Sequence, residues 1–214
     1  MEQNSKPSGA ITAPCEFPEL VLASASPRRA ELMRQAGYHF RVAKSTLPEP
    51  SRRPASVPIR VWPVSLALRK AQSVADTLKP SSTIIGADTI VVHDNRIINK
   101  AANRHHAQAI LRSLSGTTHA VITGLVVLRG AECRMESVVS ICRMKKLSER
   151  QLRAYLDSNL WRGKAGAYGI QDSPDDPFVT LISGEHSNVM GLPLDTLRKV
   201  LKLFSWGGGE AASI

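Results

Sequence analysis

The sequence has few cysteines, few aromatic residues and no long apolar run. Its three cysteines, Cys15, Cys133 and Cys142, are odd in number and lack CxxC spacing, which argues against a disulfide framework or a zinc site. No stretch of about 20 apolar residues occurs, and residues 1–19 contain no apolar segment of signal-peptide length. We therefore expect a reduced, cytoplasmic protein that has no membrane partner.

Aliphatic side chains must supply most of the core, because aromatic residues make up 5% of the chain and hydrophobic residues 43%. A length of 214 residues lies between one large domain and two small ones. The pattern is continuous, which favours a single domain over residues 19–204. Residues 1–18 and 205–214 are rich in small and polar residues and are expected to be flexible tails.

A formal net charge of +10 indicates attraction to polyanions, either nucleic acid or small phosphorylated ligands. The basic pairs at 52–53 and 145–146 do not continue into longer runs, and no basic stretch is interleaved with aromatic residues as in single-strand binders. A solvated basic surface explains the charge equally well.

Apolar patterning predicts an α/β fold along the whole chain. Predicted strands cover residues 20–23, 38–43, 83–86, 89–92, 96–98, 119–128, 137–144 and 178–182. Predicted helices cover about 27–36, 64–78, 107–114, 148–157 and 194–203, and Ser148 gives the fourth of them a capping-type start. A turn at Asp94-Asn95 is predicted between the strands at 89–92 and 96–98. Residues 47–63 contain five prolines and predict a long loop, a feature that is often functional in compact domains.

The junction LVLASASPRRAELMRQAG, residues 20–37, places polar side chains where a buried strand passes into a helix. Ser26, which precedes a proline, suits the N-cap position. The hydroxyls of Ser24 and Ser26, the guanidinium groups of Arg28 and Arg29, and the exposed N–H groups of the helix together suit a phosphate. A capped helix with two solvated arginines is the alternative.

Asp88, in the sequence GADT, interrupts an otherwise apolar stretch. A carboxylate there is costly to desolvate unless it is paired, bound to metal or placed at an open strand end, so Asp88 is a candidate metal ligand or general base. Lys100, at the end of the next predicted strand, could contact phosphate oxygens as a mobile charge. An Asp-turn and a surface lysine are the structural alternatives.

Two glycine-containing segments permit close approach of a ligand to the backbone. In KAGAYGIQ, residues 164–171, the amide of Gln171 could read the edge of a base with its paired donor and acceptor. In SNVMGLP, residues 187–193, the chain could bind a ligand or simply turn before the last helix.

In combination these motifs are far more specific than any one of them. They follow one another in the order LASASPRR, Glu49, Lys70, GADTIVV, Lys100, LSG with a following TG, KAGAYGIQ and NVMGLPL. The Maf family of nucleotide pyrophosphatases has these motifs in the same order, and the chain closely resembles that family over about residues 20–203. The resemblance implies an inosine-triphosphatase-like α/β fold, a mixed twisted sheet flanked by helices with a central cleft. It also implies hydrolysis of a nucleoside triphosphate to the monophosphate and pyrophosphate with a divalent cation, usually Mg²⁺ or Mn²⁺.

The resemblance also assigns roles to matching residues. Asp88 corresponds to the catalytic base and, with Glu49, to a metal ligand. Substrate choice is associated with Arg28, Thr89 and Gln171. Phosphate contacts are expected from Ser24, Arg29, Lys70, Lys100 and Lys164, and from Ser26 on the helix-end argument above.

SPRR, GADT and AYGIQ resemble the branch of the family that acts on dTTP and UTP. A second branch acts on 7-methyl-GTP and alters the first arginine, the threonine and the YGIQ segment. We therefore predict a dTTP and UTP pyrophosphatase of the house-cleaning type. The alternatives are a 7-methyl-GTP pyrophosphatase and a nucleic-acid-binding or septum-formation regulator. Under the main prediction we expect no stable nucleic-acid partner, and the resemblance implies that a homodimer can form.

Overall fold

The computed structural model describes residues 19–48, 50, 52–172 and 177–206. Its strands are β1 (Leu20–Ala23), β2 (Arg41–Ala43), β3 (Thr83–His93), β4 (Arg96–Ile98), β5 (Thr118–Arg129), β6 (Glu132–Met144) and β7 (Val179–Ser183). Its helices are α1 (Pro27–Gln35), α2 (Trp62–Ala75), α3 (Arg104–Leu114), α4 (Glu149–Asp157), α5 (His186–Val189) and α6 (Leu194–Trp206). Among these ranges, no helix is both long enough and apolar enough to cross a membrane.

All seven strands form one mixed sheet in the order β2-β1-β3-β5-β6-β7, with β4 paired to β3 beside this path. The strands β2, β1 and β3 are parallel, as expected where helices connect successive strands. The pairs β3–β5, β5–β6 and β6–β7 are antiparallel. The predicted α/β class with a mixed sheet flanked by helices is confirmed.

The predicted break at Gly86-Ala87-Asp88 is wrong, because β3 runs without interruption from Thr83 to His93. Asp88 stands in mid-strand with Gly124 of β5 as its register partner. The carboxylate is tolerated there because it is paired with a lysine, described below. Sequence reasoning missed this because the partner is distant in the chain.

Helix α2 lies directly on the sheet because two strand glycines leave room for its backbone. A Cβ atom at Gly86 would come within 3.0 Å of the carbonyl oxygen of Ala67, and one at Gly124 would come equally close to the backbone of Pro63 and Val64. Both glycines therefore mark the close approach of a helix, a common reason for glycine within a strand.

Turn and cap chemistry sets several element ends. Asp94 and Asn95, with φ of +47° and +58°, form the predicted tight turn between β3 and β4. Ser148 and Gln151 form a complete capping box at the start of α4, also as predicted. Ser26 does occupy the N-cap of α1, but its side chain makes no capping hydrogen bond, contrary to the expectation from sequence. Its backbone N–H instead donates to Oγ of Ser24 at 3.2 Å.

Other boundaries differ by a few residues. The strand predicted at 38–43 begins only at Arg41, and β6 begins at Glu132, ahead of the expected 137, because its first residues are exposed and lack apolar alternation. Helix α6 continues to Trp206, beyond the expected end at 203 and the expected domain boundary at 204. The expected tails, residues 1–18 and the rest of 205–214, lie outside the described residues, so they stay a prediction.

The core divides along the two faces of the sheet. On one face α2 covers β3 from Ile84 to Ile90. On the other face, α1 and α6 cover the part of β3 around Ile85, whereas α3 and α4 cover the part around Val91. Asp88 and Thr89 lie between these groups, at the middle of the longest strands.

Candidate functional site

A cleft opens beside residues 87–90 of β3, where the strand pairing along one edge of β3 is interrupted. β1 pairs with β3 as far as Gly86, and β4 pairs with it from Val91 onward. Between these two points, within the described residues, only β5 pairs with β3. This gap in the sheet leads to a cleft of about 1010 Å³ that reaches Asp88 and Thr89.

The predicted site residues in the cleft come from four distant parts of the chain: the β1–α1 junction, α2, the middle of β3 with the end of β4, and the glycine-rich segment. An isolated bridge between Lys100 and Ala165 joins the last two. The predicted site residues that line the cleft are Ser24, Ser26, Arg28, Arg29, Lys70, Asp88, Thr89, Lys100, Lys164 and Gln171. Glu49, the other predicted residue, lies outside the described part of the chain.

Asp88 forms an ion pair with Lys70 of α2. The Lys70 Nζ donates to Oδ1 of Asp88 at 2.5 Å, and the two side chains are 16% and 13% exposed. The opposite charge offsets the cost of removing the carboxylate from water. Lys70, predicted as a phosphate contact, therefore also contacts the candidate base.

Arg29 ties three walls of the cleft together. Its Nε donates to the carbonyl oxygen of Gly191 at 2.7 Å, Nη1 donates to Oγ of Ser24 at 3.1 Å, and Nη2 donates to Oγ1 of Thr89 at 3.1 Å. The sequence predicted that Arg29 contacts a phosphate or is solvated, whereas its guanidinium bonds three residues of the cleft wall. Its predicted contact with phosphate stays a prediction.

Thr89 is held within the same network. Its hydroxyl lies 2.9 Å from Oγ1 of Thr123 on β5, in addition to the bond from Arg29. Arg28 is half-buried, and Lys100 and Gln171 are exposed, so these three side chains can meet a ligand in the cleft.

Sequence reasoning missed Asp172, which lies directly after Gln171. Lys164 Nζ contacts both carboxylate oxygens of Asp172, and Tyr155 Oη donates to Oδ2 at 2.5 Å. The side chains of Lys164 and Asp172 are 9% and 5% exposed. Burial lowers the pKa of Lys164, with Asp172 opposing this effect and the nearby Arg28 reinforcing it. A carboxylate next to a glycine-rich segment that contains a lysine was the available signal.

Three further cations, Arg52, Arg53 and Arg162, also line the cleft. Arg53 donates to carbonyl oxygens of its own loop, those of Pro54, Ala55 and Val57. Asp88 is the only acidic side chain that lines the cleft among residues with described positions. Such an excess of positive charge suits a ligand with several negative charges.

Comparison with known sequences decides the family. A sequence model described as "Maf-like protein" matches residues 19–204. This chain belongs to the Maf-like protein family. Three curated relatives are each named dTTP/UTP pyrophosphatase. The protein from Symbiobacterium thermophilum is 39% identical over 88% of this chain and 95% of its own length. The protein from Pelotomaculum thermopropionicum is 38% identical over 88% of this chain and 97% of its own length. The protein from Salinibacter ruber is 40% identical over 86% of this chain and 89% of its own length.

The donor set of this Maf-like chain fits a metal that binds together with a phosphorylated ligand. Its described residues contain no group of three or more His, Cys, Asp or Glu side chains able to hold a metal ion. Mg²⁺ is usually bound through about one or two carboxylates, substrate phosphates and water, without an all-protein cage. Asp88 in a phosphate-attracting cleft is compatible with that mode of binding.

Beneath the cleft of this Maf-like chain, His119 is buried without charge. Its Nε2 lies 2.6 Å from Oη of Tyr168, a cleft-lining residue, and its Nδ1 has no hydrogen-bond partner in the part of the chain that the structure describes. Burial lowers the pKa of His119 to about 4, and the charge of His93 acts in the same direction. The folded protein therefore keeps this imidazole neutral well below its ordinary pKa of 6.5.

We expect acid to destabilise the fold through His119. Between pH 6.5 and about pH 4 the unfolded chain binds a proton that the folded chain excludes, so the free energy of unfolding falls as the pH falls. The loss is about 2 kcal/mol between about pH 7 and pH 5. Urea unfolding of the wild type and of His119→Gln at both pH values measures it. Equal pH dependence in the two proteins would contradict the assignment.

Proposed function

We propose that the chain is a nucleoside triphosphate pyrophosphatase that hydrolyses dTTP and UTP to the monophosphate and pyrophosphate. One observation carries the proposal: among the described residues that line the cleft, Asp88 is the one carboxylate, and it stands ion-paired among eight basic side chains at a gap in the sheet. A triphosphate matches this charge distribution, and a carboxylate among the cations can orient a water molecule and accept its proton. The names of the curated relatives support the same choice of substrates.

In this mechanism a water molecule attacks the α-phosphorus and pyrophosphate leaves. Asp88 orients the water and accepts its proton, while Lys70 holds the carboxylate in place. The side chains of Arg28 and Lys100 offset the charge that grows on the phosphate oxygens. A divalent cation, Mg²⁺ or Mn²⁺, held by Asp88 and Glu49 would neutralise further phosphate charge.

Of the three residues associated with substrate choice, two can contact the substrate directly and the third is fixed in the cleft wall. Gln171 is exposed in the cleft and offers both an amide donor and a carbonyl acceptor to a base edge. Arg28 offers a guanidinium fork from the adjacent wall. Thr89 is already bonded to Arg29 and to Thr123, so it acts by shaping the wall.

A substrate panel tests this proposal. With Mg²⁺ present, we expect kcat/KM for dTTP and UTP to exceed that for CTP and 7-methyl-GTP by at least about tenfold, because a hydrogen-bonded base edge discriminates strongly. Pyrophosphate release would be measured, and repeated with Mn²⁺ and after chelation. Preference for 7-methyl-GTP would contradict the roles of Arg28, Thr89 and Gln171.

The net charge of +10 favours one other function, binding of nucleic acid. That function needs neither Asp88 nor a metal. DNA binding that weakens with salt, without hydrolysis of any triphosphate in the panel, would favour it. The absence of a stable nucleic-acid partner stays a prediction.

We also propose a cytoplasmic location and a homodimer. Cys133 and Cys142 are free thiols, which accords with a reducing compartment. Light scattering on the purified protein measures the oligomeric state, and fractionation of cells measures the location.

A further inference from the structure

The carboxylate of Asp172, beside the cleft, accepts hydrogen bonds from two side chains on different parts of the chain. Lys164 reaches it from the start of the glycine-rich segment, and Tyr155 reaches it from α4. Bonds of this kind, between ionised groups or to an ionised acceptor, are stronger than neutral ones. The side chain is 5% exposed, so little water competes for these bonds. The three side chains form what we call the Asp172 clamp.

The Asp172 clamp fixes the backbone that carries Gln171. The N–H of Asp172 donates to the carbonyl oxygen of Gly169 at 3.1 Å, which closes a turn with Gln171 inside it. The carboxylate packs so tightly on this turn that a Cβ atom at Gly169 would lie 2.5 Å from Oδ1 of Asp172. Both ends of the turn are thereby held, and only the exposed Gln171 side chain extends into the cleft.

The clamp also organises charge. Lys164 is buried near Arg28, whose positive charge disfavours a second cation at that place. Asp172 forms an ion pair with Lys164 and so offsets the repulsion between the two cations, which line the cleft together with Gln171. Asp172 does not line the cleft itself, but it contacts both Lys164 and the turn that carries Gln171.

We propose that Asp172 is a positioning residue for substrate choice, holding Gln171 where it reads the base. The inference rests on the proposed function, in which Gln171 contacts that base. Asp172 acts through Gln171, so its removal alters discrimination between bases more strongly than it alters binding of the phosphates.

A double-mutant cycle tests the inference with UTP and CTP, which differ at the base edge. Asp172→Asn keeps an oxygen acceptor for Lys164 but removes the charge. We expect it to lower the UTP:CTP ratio of kcat/KM about tenfold, Gln171→Ala to do the same, and the double variant to lose no more than either. The inhibition constant of inorganic pyrophosphate, which has no base, should change less than about twofold.

Tyr155→Phe provides a second variant with the ring packing retained. It removes one donor to Asp172, so we expect a loss of about threefold in the same ratio. Asp157→Asn is the matched control, because that carboxylate is 67% exposed and bonds Arg104 away from the cleft. The inference would be overturned if the losses of Asp172→Asn and Gln171→Ala multiplied in the double variant. It would also be overturned if Asp172→Asn or Tyr155→Phe left the UTP:CTP ratio of kcat/KM unchanged.

Amide hydrogen exchange separates this inference from the proposed function. Without nucleotide, Asp172→Asn should speed exchange in residues 166–172 relative to the wild type and to Asp157→Asn. If the wild type hydrolyses neither dTTP nor UTP, the proposed function fails. Faster exchange would then still support the clamp, and unchanged exchange would overturn it.

Discussion

Replacing Asp88 with asparagine is expected to lower kcat for dTTP and UTP at least about 100-fold, since a general base contributes roughly that much. The substitution keeps the volume of the side chain. In the wild type Lys70 Nζ lies 2.5 Å from Oδ1 of Asp88, and the amide oxygen of asparagine can still accept this hydrogen bond. We therefore expect the free energy of unfolding to change by less than about 2 kcal/mol. Pyrophosphate release and urea unfolding measure the two effects separately.

Asp94→Asn is the matched control for this substitution. Asp94 is 83% exposed at the tight turn after β3, and its φ of +47° is one that asparagine readily adopts. Activity and stability should both stay at wild-type values. Near-normal hydrolysis by Asp88→Asn would show that another group activates the water.

Replacing Gly124 with alanine is expected to damage both stability and turnover. The added Cβ would meet the backbone of Pro63 and Val64, which cannot rotate away, so α2 must shift from the sheet. Overpacking of this kind costs about 3 kcal/mol. Because Lys70 lies on α2 and Asp88 is the register partner of Gly124, the shift also separates the ion pair. We expect kcat to fall about 100-fold.

Gly37→Ala separates steric overlap from backbone strain. Gly37 has a φ of +80° and open space around the added atom, so alanine there costs about 1 kcal/mol in strain without displacing a helix. Its activity should stay normal. Urea unfolding and pyrophosphate release compare the two variants, and a Gly124→Ala protein with wild-type kcat would show that the position of α2 does not govern Asp88.

Local chemistry made much of this fold predictable from the sequence. The capping box at Ser148 and the turn at Asp94-Asn95 each involve residues a few positions apart, and both are confirmed. The first strand and helix follow from an apolar run, a proline and a glycine read in order. The order of motifs then predicted which residues would be found near one another, and the cleft contains the predicted site residues whose positions are described.

Long-range contacts account for what the sequence did not predict. Asp88 looked like a break in a strand because its partner, Lys70, lies on a helix 18 positions earlier. Arg29 looked like a solvent-facing or phosphate-facing cation, although it bonds Gly191, which is 162 positions away. Asp172 attracted no prediction because its two partners become neighbours only when α4 and the glycine-rich segment pack together.

The gap in the sheet constrains how this molecule can move around a nucleotide. β3 pairs with β5 without interruption from Ile84 to Val92, directly behind Asp88 and Thr89. The two sides of the cleft are thus joined by one continuous pair of hydrogen-bonded strands, which has no break at which the sheet could act as a hinge. We therefore expect closure around a substrate to involve rotations of long side chains such as Arg28 and Lys100 more than bending of this part of the sheet.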